Sequence, residues 1–117
     1  MKMGLENKKN LSLDETAELI EGGKGRILLY VVRVGDNLEY AFGFQKKSNS
    51  QVIDIIDTKR NLKTVKTLNA AHGAVRIADP RLKTIPIPVL EDANAFGLDG
   101  PDFGPYVEPD RFDPEEV

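Results

Sequence analysis

The sequence predicts an α+β domain: a small antiparallel sheet of three to five strands, packed by two helices and followed by an acidic C-terminal tail. Three observations carry that expectation. Leu38, Tyr40, Phe42 and Phe44 alternate with smaller or polar residues, the period of two that marks a strand with one large apolar face. Ser12-Leu13-Asp14-Glu15 opens a stretch of helical periodicity with a capping box. From Glu91 onward neither a period of two nor one of 3.6 holds, and acids, Gly and Pro take over.

The elements follow in order. Residues 1–10 are polar and read as a flexible N-terminus ahead of a single domain at 11–90. The first helix is expected at 12–21. Leu13, Ala17 and Ile20 fall on one side, Asp14 and Glu15 lie where the helix dipole favours anions, and Gly22-Gly23 stops it. Arg26 to Val34 is nearly continuously apolar and predicts a strand covered on both faces. Gly35-Asp36-Asn37 turns the chain into the alternating strand, making a hairpin. A polar loop at 46–50 leads to a third strand over Gln51 to Asp57. Lys59 to Thr67 holds a turn and room for a short strand.

Thr67 is placed to cap a second helix, in which Leu68, Ala71, Val75 and Ala78 form an apolar stripe. Gly73 weakens that helix by about 1 kcal/mol relative to alanine. A rival parse ends it at Gly73 and makes Ala74 to Ala78 a strand. Asp79-Pro80 closes the element in either case. Lys83 to Leu90 is extended, and Pro86 and Pro88 restrict it to an edge strand or a strap. Residues 91–117 form an acidic Gly/Pro/aromatic tail, disordered or laid along the surface.

Charge is the most informative property. The 117 residues carry a net charge of -3, but residues 24–83 hold twelve basic and five acidic side chains, whereas residues 91–117 hold one basic and nine acidic. A basic centre with an acidic tail points to a polyanionic partner, or to a tail that folds back and competes for it. The candidate nucleic-acid contacts are Lys46, Lys47, Lys59, Arg60, Lys63, Lys66 and Arg76, since Lys and Arg bind phosphates by charge. The partner on this reading is DNA or RNA. The other reading is a protein-binding module or inhibitor working through the tail aromatics Phe103, Tyr106 and Phe112.

Other chemistries find little footing. With no cysteine and the single histidine His72, thiol catalysis and multi-histidine metal sites are excluded. No P-loop or nucleophile elbow is present, and no cofactor motif was found. Asp54 and Asp57, three apart in an extended segment, point to opposite faces rather than pairing. Tyr40, Phe42 and Phe44 are expected in the core rather than as a base-stacking platform, because a hairpin needs that packing. No apolar run is long enough to span a bilayer and the N-terminus has no apolar h-region, so the expectation is a cytoplasmic, non-enzymatic protein.

The stretch Leu62 to Val75, centred on Lys66-Thr67-Leu68-Asn69-Ala70-Ala71, resembles a segment of small plasmid-borne partition-associated accessory proteins. In these a basic strand runs into a capped helix of the form K-[ST]-L-D-A-A. Here Asn69 stands for the usual Asp, and Lys59-Arg60-Asn61 stands where an arginine-glycine turn is expected. The resemblance covers about a tenth of the chain. It implies an accessory role on a mobile element and no known enzymatic activity.

Overall fold

In the computed structural model, which describes residues 5–85 and 104–113, a 3-10 turn at Leu5–Asn7 leads into β1 (Asn10–Leu11) and α1 (Leu13–Glu21). The chain continues through β2 (Gly25–Val34), β3 (Asn37–Lys46), β4 (Val52–Ile55), β5 (Thr64–Val65) and α2 (Leu68–Ala78). The sheet order is β1-β4-β3-β2, with β5 pairing β3 beyond the end of β4. The fold is therefore α+β with two helices, as the sequence predicts. The sheet is mixed rather than wholly antiparallel, because β1 runs parallel to β4.

The β2–β3 hairpin is the backbone of the fold. Its register pairs Val34 with Asn37, so Gly35 and Asp36 alone make the turn. Gly35 has φ 62 and Asp36 stays out of the positive-φ region, as a turn with glycine first requires. The same register sets Ile27 opposite Phe44 and Leu29 opposite Phe42. With Leu11, Ile53 and Ile55 these four side chains form the sheet's side of the core. Leu19 and Ile20 of α1 and Ala71, Ala74 and Val75 of α2 cover them. Burying each large apolar side chain contributes about 1.5–3 kcal/mol, which makes this face the main source of stability. Tyr40, Phe42 and Phe44 thus belong to the core side, not to an open stacking platform.

Both faces of β2 are covered. Leu28 and Tyr30, which alternate with the core-facing residues, are also buried, as are Ala41, the register partner of Tyr30, and Gln45, the register partner of Arg26. The Tyr30 hydroxyl donates to Asp54 at 3.2 Å, and burial first, then the Asp54 charge, pushes the phenol above its ordinary range.

Both helices are capped as their sequences demand. Ser12 Oγ accepts from the Glu15 N–H, and the Glu15 carboxylate accepts from the Ser12 N–H, at 3.1 and 2.9 Å. Thr67 Oγ1 accepts from the Ala70 N–H. α2 runs unbroken through Gly73 to Ala78, so residues 74–78 are helix and not strand. One member of its expected stripe is misplaced: Leu68, in the first turn, is 40% exposed.

Residues 5–10 depart from the expectation of a loose N-terminus at 1–10; residues 1–4 lie outside the described residues. Leu5 packs against the core, and Asn10 and Leu11 pair with Asp54 and Ile55. The physical reason is Leu11, which is fully buried and has to be delivered to the core before α1 begins. The third strand is also shorter than Gln51 to Asp57, because Asp57 is drawn into a turn. Of the expected strap at 83–90, residues 83–85 are described, and Lys83 donates its N–H to Asp110 O. The remainder lies outside the described residues. In the tail, residues 104–113 lie along the surface, bridged at Leu82 and Arg111. No helix among the described residues is long and apolar enough to cross a membrane.

Candidate nucleic-acid interface

The candidate interface is built on the loop between β4 and β5. Ile56 and Leu62 bridge across its base, and the Lys63 N–H donates to Ile55 O at 2.9 Å. Its tip is held by one carboxylate. Asp57 Oδ1 accepts from the N–H groups of Lys59 and Asn61 at 2.8 and 3.0 Å. The Asp57 N–H donates to Asn61 O, and the Arg60 N–H donates to Asp57 O. Arg60 sits at φ 67, in the left-handed region, as this tight turn demands. A short polar side chain that bonds its own backbone two residues on is the usual device for such turns. The result is a rigid projection that carries Lys59 and Arg60 into solvent.

The parallel pairing of β1 with β4 brings the N-terminal segment beside this loop. A groove of about 610 Å³ lies between them, with Lys8, Lys9 and Ser12 on one wall and Asp57, Thr58 and Arg60 on the other. Lys8 is already engaged, with Nζ 2.5 Å from Glu15 Oε2. That hydrogen bond, with the Ser12 N–H, holds the Glu15 carboxyl below its usual range. Lys9, Lys59, Arg60 and Lys63 have no ion-pair partner among the described residues.

The structure divides the basic residues that the sequence groups together. Lys59, Arg60 and Lys63 share the loop. Lys66 follows β5 and is exposed, just ahead of the cap of α2. Lys46 and Lys47 stand at the far end of β3. Thr64 pairs with Ala41, and Lys46 is five positions further along that strand. At about 3.4 Å per residue the separation is about 17 Å. Lys46 has no ion pair among the described residues, while Lys47 Nζ is 3.7 Å from Glu108 Oε2. Arg76 is engaged elsewhere. Its Nη1 donates to the Leu82 carbonyl and ties α2 to the turn that follows.

The tail aromatics are also separated. Phe103 lies outside the described residues. The Tyr106 N–H donates to Ser50 Oγ at 2.8 Å, its hydroxyl donates to Glu108 at 2.5 Å, and its ring lies 5.7 Å from the Arg26 guanidinium. Desolvation and the Glu108 contact push its phenol up to about 12. The Phe112 ring lies 5.4 Å from Lys83 Nζ, and the residue is 40% exposed.

Sequence reasoning missed four contributors. Lys8 and Lys9 join the loop only through the parallel β1–β4 pairing, though Leu11 just before a capping box hinted at an anchored segment. Lys24 comes beside Lys46 and Lys47 through the hairpin register. Arg111, the single cation among nine acids, anchors the tail. Its Nε donates to Asp79 Oδ2 at 2.8 Å, its Nη1 to Glu108 at 2.8 Å and its Nη2 to Gly25 O at 3.4 Å. A lone opposite charge in an acidic run was the available signal. His72 is half-buried on α2, and no group of three or more potential metal ligands occurs among the described residues. Comparison of the chain with family models, curated proteins and solved structures finds no match.

Proposed function

We propose that the chain is a non-enzymatic nucleic-acid-binding protein that contacts phosphates through the β4–β5 loop. The observation that carries this is the presentation of Lys59 and Arg60, unpaired among the described residues, on a tip braced by four hydrogen bonds. Cations on a preformed loop bind phosphate without first losing another partner, and little backbone entropy remains to be lost. Lys9 and Lys63 extend the same positive surface, and Lys66 lies beyond the loop's return through β5. The resemblance of residues 62–75 to partition-associated proteins supports an accessory role on a plasmid or phage.

The test is fluorescence anisotropy with the full chain, using single- and double-stranded DNA and RNA over a salt series. The affinity is expected to fall linearly with salt on logarithmic axes, with a slope of about -0.9 per phosphate contacted on duplex DNA. The K59A/R60A variant should bind more weakly and lose about two units of that slope. A chain that binds nothing at low salt, or a variant with an unchanged slope, refutes the proposal. Tail docking to a protein partner is a second reading, favoured by the exposure of Val107 and Phe112 on the described tail. It predicts that V107D/F112D abolishes capture of that partner while leaving nucleic-acid binding intact.

A further inference from the structure

A second basic surface lies at the other end of the sheet, about 17 Å from β5 along β3. There the turn after α1 meets the turn after β3, and the Lys47 N–H donates to Lys24 O at 2.9 Å. That bond closes a depression of about 310 Å³ lined by Gly23, Lys24, Lys46, Lys47 and Ser48. Three of the five lining residues are lysines and none is acidic. The lysines are not consumed in finishing the helix. The carbonyls of Glu18, Leu19 and Ile20 already accept from the N–H groups of Gly22, Lys24 and Gly23. Lys24 and Lys46 have no ion pair among the described residues.

One carboxylate approaches the rim. Glu108 Oε2 lies 3.7 Å from Lys47 Nζ, and its position is fixed from behind by Tyr106 and Arg111. The hydroxyl of Tyr106 and the guanidinium of Arg111 both donate to it, so it is held ionised at its place. Its geometry is that of an internal anion beside a cationic hollow.

We infer that the Lys24–Lys46–Lys47 depression is a binding site for a phosphate group, with Glu108 as its built-in competitor. The inference goes beyond the nucleic-acid reading, because a phosphate on a small metabolite satisfies the same three ammonium groups as one on a polymer. Its lining offers three ammonium groups and no aromatic or apolar face, so it suits phosphate groups rather than a base. An incoming phosphate brings more charge than a carboxylate and has three lysines to meet, so it displaces Glu108 from Lys47 without requiring the tail to leave.

The test is an amide NMR titration of the full chain with inorganic pyrophosphate, then with an oligonucleotide, at low salt. Pyrophosphate should shift Gly23, Lys24, Lys47 and Ser48 well before Lys59 and Arg60. Glu108→Gln removes the charge; its amide oxygen can still accept from Arg111, and its NH2 group can donate to the Tyr106 hydroxyl. It should tighten pyrophosphate by about two- to fivefold, the range expected for one exposed ion pair. The double variant K24A/K46A should lose the response while leaving the Phe42 and Phe44 amides unmoved, which separates loss of the site from loss of the fold. Shifts spread evenly over all lysines, or an E108Q affinity equal to that of the parent, overturn the inference. An oligonucleotide that perturbs Lys59 and Arg60 while neither it nor pyrophosphate moves the depression also overturns it, and leaves the loop proposal standing. Pyrophosphate binding without any oligonucleotide binding supports it, assigns the site to small phosphorylated ligands, and sinks the loop proposal.

Discussion

Replacing Arg111 with methionine should remove the fastening of the tail and expose how much of the fold depends on it. The Arg111 side chain is 11% exposed and that of Asp79 only 2%. Methionine retains most of the apolar stem but leaves the Asp79 carboxylate buried without its partner. Breaking a buried pair from one side costs about 3–5 kcal/mol, mostly as the penalty of the stranded charge. In a domain whose whole stability is about 5–15 kcal/mol, that is a large fraction. With a urea dependence of about 1–3 kcal/mol per molar, the midpoint should fall by about 1–5 M. The assay is urea denaturation followed by far-ultraviolet circular dichroism, on R111M, on Asp79→Leu and on the double variant. The double variant removes both charges and should recover much of the loss, since a buried ion pair and its apolar replacement are often close in energy. If R111M loses less than about 1 kcal/mol, the pair is effectively solvated and the tail is not anchored as described. Additive losses in the double variant would equally refute a direct coupling between the two residues.

Three further perturbations probe the rest of the molecule. Gly73→Ala should stabilise the domain by about 1 kcal/mol, because an added Cβ on this helical residue meets nothing within 4 Å; a lower melting temperature for G73A would show that α2 does not run through this position. Gly25→Ala should be severely destabilising, by more than about 3 kcal/mol, since its Cβ would fall 2.1 Å from Gln45 O and 2.5 Å from the Phe44 ring; near-normal stability would refute the close approach of the strand ends. The carboxyl of Glu15 is lowered from 4.5 by Lys8 and by the Ser12 N–H, so its contribution is present above about pH 4.5 and is lost as the pH falls through the depressed value. Acid titration monitored by thermal melting should therefore show E15Q less stable than the parent near neutrality, with the difference shrinking as the acid range is entered; a constant difference at all pH values would dismiss the charge.

Local signals in this sequence were strong and non-local ones weak. The capping box at Ser12, the Gly35-Asp36 turn and the alternation through Phe42 and Phe44 each depend on residues within a few positions of one another, and all three appear where the sequence places them. β1 could not be read in this way. Two residues make no periodic pattern, and Asn10–Leu11 is a strand only because β4, more than 40 positions later, offers it an edge. The division of the basic residues was hidden for the same reason. Lys46 and Lys59 are neighbours in a charge count, but β4 and the projecting loop carry them apart, while Lys24 and Lys47 converge through a register that runs the length of the hairpin. Arg76 shows the converse limit: its charge was legible, its use in bonding the Leu82 carbonyl was not.

The polarity of the tail's attachment narrows what its acids can do. Net charge alone suggests an acidic strand lying on a basic surface. The contacts run largely the other way: a cation of the tail, Arg111, enters a pocket closed by the buried carboxylate of Asp79, and Tyr106 lies against Arg26 through its ring. One tail carboxylate, Glu108, pairs with a cation of the basic centre, Lys47. Electrostatic competition from Glu108 thus falls at the Lys24–Lys46–Lys47 end, away from the loop carrying Lys59 and Arg60. Beyond a Debye length of about 8 Å at physiological salt, a separation of about 17 Å makes the two surfaces nearly independent. The charge of Glu108 should therefore change affinity at one end of the sheet while the salt slope set by the loop at the other stays constant, a separation that a tail acting as a general polyanion mimic would not produce.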